Sequence, residues 1–179
     1  MVPGPAAPKS DEFSMEVVRG PDPEDISPWS VCATGRIRVG DFSEKFPMDL
    51  GFWSVDRYLR SWEAALARLE NDEEVTSCLI SSITDPTNSD FITCRPLYRE
   101  GEAVYVQNAL IFLDQIEGVF DPEAPWSHVW PRATVDEEGR TVSEWTTRID
   151  QVRLFRSSQG ASSDLEKSPL LARTTRHLR

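Results

Sequence analysis

Chemistry in this sequence would have to come from its carboxylates, a histidine or its three cysteines. Glu73-Glu74 and Asp136-Glu137-Glu138 are adjacent acids, and a carboxylate pair does general acid–base work only when burial or a like charge pushes one pKa up. Both runs are polar and turn-like, with nothing apolar beside them, so they read as solvated charge. His128, between Ser127 and Val129, is the one histidine between Ser27 and Arg156, and a base needs a nucleophile and an orienting partner. No G-x-S-x-G elbow, Gly-rich phosphate loop or H-E-x-x-H helix supplies them. Cys32, Cys78 and Cys94 are odd in number and irregularly spaced, unlike a zinc site or a secreted disulfide framework. They read as reduced, mostly buried thiols of a cytosolic protein. No catalytic, cofactor-binding or metal-binding residue is expected, and the chain reads as a binder, not an enzyme.

Recognition is the chemistry that remains. Two acidic clusters, Glu70-Asp72-Glu73-Glu74 and Asp114-Glu117-Asp121-Glu123, flank strand ends and a long loop that carries Trp126 and Trp130. Aromatic anchors inside a charged rim are the anatomy of a protein interface, so these ten residues are the expected partner-binding set. Gln107-Asn108 stands out as a polar pair within an apolar strand; its plainest role is a buried amide pair bonded to nearby backbone, and the other is a partner contact.

The charge balance narrows the partner. Of the net −11, residues 1–26 carry six acids against Lys9 and Arg19, and residues 157–179 carry Asp164 and Glu166 against Lys167, Arg173, Arg176 and Arg179, which leaves −9 on residues 27–156. Phosphate binders place Lys and Arg opposite the backbone, so nucleic acid is disfavoured. A cationic partner is favoured by electrostatic steering. The rival reading is a single-stranded nucleic-acid-binding module, to whose basic sheet face Arg36, Arg38, Arg95 and Arg99 could contribute. No apolar run approaches the ~20 residues that span a bilayer, and no export signal opens the chain. The expected setting is therefore the cytoplasm.

The elements that must position these groups follow from periodicity. Residues 1–26, with five Pro and six acids, read as a flexible leader, and the Ser-rich residues 157–179 as a flexible basic tail; the globular domain is 27–156. Strands are predicted at Trp29–Val39, at Phe42–Leu50 (placed at an edge or ended early by Pro47), at Val75–Thr84, at Phe91–Arg99 and at Ala103–Leu113. The last two are joined by Glu100-Gly101-Glu102. Ala103–Leu113 is apolar on both faces and so is expected to be central and covered on both sides. One amphipathic helix runs from Val55 to Glu70 behind a Ser54 N-cap, its stripe formed by Val55, Tyr58, Leu59, Trp62, Leu66 and Leu69. Asp114–Arg132 is a loop too long to be a connector, 135–140 a hairpin turn, and Ser143–Leu154 a final strand or short helix. The class is α+β: antiparallel sheet or sheets of five to seven strands with one main amphipathic helix.

The order of segments carries a resemblance. Ile37-Arg38-Val39-Gly40-Asp41-Phe42-Ser43-Glu44 precedes Trp53-Ser54-Val55-Asp56-Arg57-Tyr58 and Trp62, then Ser77-Cys78-Leu79-Ile80-Ser81-Ser82 and Arg95-Pro96-Leu97-Tyr98-Arg99-Glu100-Gly101. Val104-Tyr105-Val106-Gln107-Asn108, Ile111-Phe112-Leu113-Asp114, Pro131-Arg132 and Ser143-Glu144-Trp145 complete it. This resembles the immunity proteins of bacterial contact-dependent growth inhibition, in particular the Enterobacter-type family. The resemblance implies a cytosolic protein that binds and neutralises a cognate toxin C-terminal domain. In the Enterobacter-type pair that toxin is a ribosomal-RNA nuclease, and the immunity fold is Whirly-like. It implies no catalytic residues and transfers no contact residue. The Pro-rich leader and basic tail depart from the family pattern.

Overall fold

The computed structural model describes residues 10–20 and 31–166, with side chains to residue 160. Residues 1–9, 21–30 and 167–179 lie outside it, and with them Trp29, Ser27 and most of the expected leader and tail. The described residues form β1 (Phe13–Arg19), β2 (Cys32–Val39), β3 (Phe42–Asp49), α1 (Val55–Arg68), β4 (Glu74–Ser82), β5 (Phe91–Glu100), β6 (Ala103–Gln107), β7 (Ala109–Phe112), a 3₁₀ turn (Pro125–His128), β8 (Glu144–Arg148) and α2 (Ile149–Glu166). All pairings are antiparallel. One sheet has the order β1-β2-β3; the other runs β4-β5-β6-β8, with β7 also paired to β5. The α+β class and its antiparallel sheets stand as predicted, with eight strands among the described residues where five to seven were expected, and with a second helix.

Local chemistry explains the elements. The Ser54 side chain accepts a hydrogen bond from the Arg57 N–H at 3.3 Å, capping α1. Tyr58, Trp62, Ala65, Leu66 and, at the end of α1, Leu69 are buried, whereas Leu59, placed by periodicity on the same stripe, is exposed beside α2. The β5–β6 hairpin turns at Gly101, whose φ of 61° is the left-handed region that favours glycine. Gly35 lies opposite Phe46 on β3, and a Cβ there would sit 2.3 Å from the Phe46 ring. The missing side chain is therefore what lets that ring lie across β2.

Strand parity defines the layers. One face of the five-stranded sheet presents Ser77, Leu79, Arg95, Leu97, Val104, Val106 and Trp145 to α1 and the three-stranded sheet. The Ser77 hydroxyl donates to the Ala65 carbonyl at 2.7 Å, Arg95 pairs with Glu44, and Trp145 stacks on Phe42 with centroids 3.7 Å apart. The opposite face lies under the loop Asp114–Arg132 and the residues after it. There the Tyr98 hydroxyl donates to the Trp130 carbonyl at 2.7 Å, and the Gln107 amide donates to the Ala133 carbonyl at 2.9 Å. The 3₁₀ turn lies against β4 and covers that edge of the sheet.

Three expectations are corrected. Phe13–Arg19, assigned by composition to the leader, is a strand paired with β2 whose Phe13 and Met15 are buried. Averaging over the Pro-rich residues on both sides hides its alternation. Ser143–Leu154 resolves into both β8 and the start of a longer helix, which crosses the expected tail boundary to Glu166. Ile149 and Val152 seat it in the core, Phe155 packs edge-on against Phe13, and Arg156 ties it to α1. Ala103–Leu113 is central only in its first half. β8 borders β6 as far as Gln107↔Glu144; the chain preceding Glu144 then bridges Thr141 to Val135 instead, which leaves β7 with β5 alone.

Candidate functional site

The ten expected partner-binding residues do not form one rim. Glu74 pairs with Glu100 at one end of β5, while Phe112, two residues before Asp114, pairs with Phe91 at the other. A ten-residue strand separates its ends by roughly 30 Å. Glu70, Asp72, Glu73 and Glu74 therefore occupy one end of the sheet, and Asp114 and Glu117 the other. Glu70 is also committed within the fold, its carboxylate held by Arg156 and, at 3.9 Å, by Arg153. Glu123 is ion-paired with Arg57 of α1. Asp121 caps its own loop by accepting the Glu123 N–H at 2.9 Å. Trp126 lies under the Arg68 guanidinium, 4.3 Å from the ring centroid, and packs on the core. Glu123 and Trp126 fasten the long loop to α1, while Asp121 and Glu123 stay exposed at its surface.

What the fold does present is a groove along β7. Leu110, Ile111 and Phe112 line it together with Gln115, Ile116 and Glu117 and with Ser127, His128, Val129 and Trp130, enclosing about 340 Å³. Leu110 is 40% exposed, Phe112 42% and Trp130 74%. Phe91, 46% exposed, sits across from Phe112 with ring centroids 6.4 Å apart. Exposed Asp90, Asp114 and Glu117 border this apolar strip, and among the described residues none of the three has an ion-pair partner. Asp114, Glu117 and Trp130 belong to the expected set. Leu110, Phe112, Phe91 and Asp90 do not. Their signal in the sequence was the apolar run Ala109–Phe112 itself, which reads as core until the neighbouring strand is known to turn away.

The groups that could have done other chemistry are occupied. The His128 Nε2 accepts the Asp121 N–H at 3.1 Å, and the ring leans on Phe120. Burial, reinforced by the neighbouring Cys94, pushes the Cys78 thiol well above its ordinary range, so it is no nucleophile. Of the four arginines available to a nucleic-acid face, Arg36 pairs with Glu16 at 2.6 Å and Arg38 with Glu12 at 4.0 Å. Arg95, with its side chain 4% exposed, pairs with Glu44, and Arg99 donates to the carbonyls of Leu69 and Gly101. They do not converge on a basic surface.

Comparison with known proteins converges on one group. The family described as the CdiI N-terminal domain matches residues 48–155. Over 120 residues the chain is 36% identical to the immunity protein CdiI of Enterobacter cloacae subsp. cloacae, covering 66% of this chain and 81% of that protein. Its fold matches a chain of the CdiA-CT/CdiI toxin and immunity complex from Enterobacter cloacae with a TM-score of 0.73 at 30% identity, covering 83% of this chain and 99% of that one.

Proposed function

The chain belongs to the CdiI N-terminal domain family, and from that membership we propose that it is an immunity protein that binds a cognate toxin domain and blocks its active or substrate-binding surface. The observation that carries this reading is the 36% identity to a protein named for immunity, joined to a fold shared with a solved toxin–immunity complex. The chain acts in the cytosol of the producing cell, by binding and without catalysis. Its partner is a nuclease, whose substrate groove must be cationic to hold phosphate. An acidic protein with unpaired carboxylates beside an apolar groove is suited to that surface, because opposite charge speeds encounter and apolar anchors slow release. The Whirly-like single-stranded nucleic-acid-binding alternative finds no support in these relatives.

The test uses the toxin domain encoded beside this chain's gene. Its expression alone is expected to arrest bacterial growth, and co-expression of this chain to restore it; failure of both rescue and complex formation would sink the immunity reading. Purified toxin should degrade RNA, and stoichiometric chain should protect it. A toxin inert on RNA but still neutralised would remove the nuclease assignment alone. Between about 50 and about 500 mM salt the association rate should fall at least ~10-fold, since exposed charges are screened over a Debye length. An unchanged rate would remove the electrostatic part.

A further inference from the structure

Strand β7 offers more than apolar side chains. The Leu113 N–H donates to the Asp90 carbonyl at 2.9 Å, and antiparallel bonding alternates along a strand. Ala109, Ile111 and Leu113 therefore turn their peptide groups toward β5, while Leu110 and Phe112 turn theirs outward. Beside β6 the equivalent outward groups of Val104 and Val106 meet Thr147 and Trp145 of β8. Beside β7 no strand is paired among the described residues. The Phe112 carbonyl is used by the Gln115 N–H at 3.2 Å; among the described residues, both backbone groups of Leu110 and the N–H of Phe112 have no hydrogen-bond partner.

Open edges invite pairing with another chain, and folds blunt them with charge, proline or cover. The edge strand β3 carries Glu44, Lys45 and Pro47, and β4 lies under the 3₁₀ turn. The sequence of β7, ALIF, has neither charge nor proline. An apolar, unblunted edge that opens onto a side-chain groove is a site for strand addition, in which backbone bonds supply affinity and alternate pockets supply selectivity.

We propose that an extended basic segment of the toxin adds to the outer edge of β7. It continues the line of β8, sets an apolar side chain in the groove beside Trp130 and presents its cations to Asp90, Asp114 and Glu117. The charge of that rim is what selects a basic occupant. This rests on the immunity reading and specifies how the toxin is held.

The decisive variant is Leu110→Pro. Proline is tolerated on an edge strand where its nitrogen faces outward, so pairing with β5 is expected to survive, while the outward N–H is lost and the pyrrolidine ring obstructs an incoming strand. Circular dichroism and the unfolding midpoint should be close to those of the parent. Affinity for the purified toxin domain should fall at least ~10-fold, against no more than ~3-fold for Leu110→Ala, which keeps the edge. In the parent complex, exchange of the Leu110 and Phe112 amide hydrogens should slow at least ~10-fold. Parent-like affinity in a folded Leu110→Pro, or unslowed exchange at those amides, overturns strand addition while leaving toxin binding intact. If Leu110→Pro does not fold, the exchange measurement on the parent decides alone. A parent that binds no toxin removes both readings together. The chain by itself should sediment as a monomer at this edge; a self-association abolished by Leu110→Pro would replace the toxin with a second copy of the chain and overturn the proposal.

Discussion

Strands β6 and β7 form one apolar stretch in a single register with β5, yet they end in opposite circumstances. Val104 and Val106 are buried, with β5 on one side and β8 on the other. Leu110 and Phe112 have the same kind of side chain and stand about two-fifths exposed. Nothing local distinguishes them, since both segments are β-branched or bulky and both alternate. The difference is supplied from far along the chain, where Glu144 closes the last pair with Gln107 and the preceding residues turn toward Val135. A strand's apolar character shows that it can be buried. A neighbour's path decides whether it is.

The sharpest way to break this comparison is to place the same charge in both halves. Val106→Asp puts an unpaired carboxylate into the core between two paired strands and should cost more than about 4 kcal/mol, leaving the chain largely unfolded. Phe112→Asp, at an open edge, should cost about 1 kcal/mol or less. Urea unfolding midpoints compare the two. Equal losses would mean that β7 is packed as tightly as β6, and would remove the ground for treating it as a docking edge.

How much of this could be read without coordinates depends on how far apart the deciding residues lie. The Ser54 cap, the α1 stripe apart from Leu59, the Gly101 hairpin and the edge position of β3 are set within a few residues, and they were legible. So was the family, whose segment order from Ile37 to Trp145 overlaps the matched residues 48–155. Of the Gln107-Asn108 pair, Gln107 is a buried amide bonded to backbone and to a carboxylate, whereas Asn108 is exposed where β6 gives way to β7. β1 was lost because seven alternating residues are swamped by proline-rich flanks. The far half of α2 was lost because SSQGASSDLE carries no apolar period; the helix is anchored by tertiary contacts of its first two turns. The separation of the two acidic clusters was hidden for a geometric reason. Residues near in sequence to a strand's two ends are as far apart as the strand is long, so Glu74 and Asp114 lie at opposite ends of the sheet.

The boundary between β6 and β7 is itself held by a polar knot, which a gentler perturbation can sharpen. Arg132 donates to both oxygens of Glu144, at 2.7 and 2.9 Å, and the Gln107 amide donates to the same carboxylate at 2.7 Å. The Arg132 hydrogen bonds, and then that of Gln107, hold the Glu144 carboxyl below its ordinary 4.5 against the opposing effect of burial. A carboxylate with a depressed folded pKa contributes stability that is present above the unfolded value and lost as pH falls through the folded one. Glu144→Gln should therefore cost about 1–2 kcal/mol at neutral pH. The gap between the two proteins should close as pH drops below 4.5, followed by chemical denaturation at each pH. A gap that does not change with pH would show that the knot is not electrostatic. Leu110 and Phe112 should also exchange their amide hydrogens more nearly like Val104 and Val106 only if the variant lets β8 extend past Gln107.

The smallest effect separates two acids that look alike in the sequence. Glu70 and Glu117 each belong to an acidic cluster beside an element end, but Glu70 is gripped by Arg156 of α2 and Glu117 is bare. Arg156→Ala should lower stability by about 0.5–1 kcal/mol, the range of partly exposed ion pairs. Glu70→Gln should add little to that loss in the double variant, because its shorter ion pair is already gone and only Arg153, at 3.9 Å, remains. Neither change should alter the rate of toxin association beyond what net charge predicts. Glu117→Gln should do the reverse, leaving the unfolding midpoint in place and slowing association about 2-fold or more at low salt. Stopped-flow association beside thermal unfolding distinguishes the two. If Glu70 slows association as much as Glu117, the toxin covers both ends of the sheet, and the β7 edge is one contact among several instead of the place where recognition is concentrated.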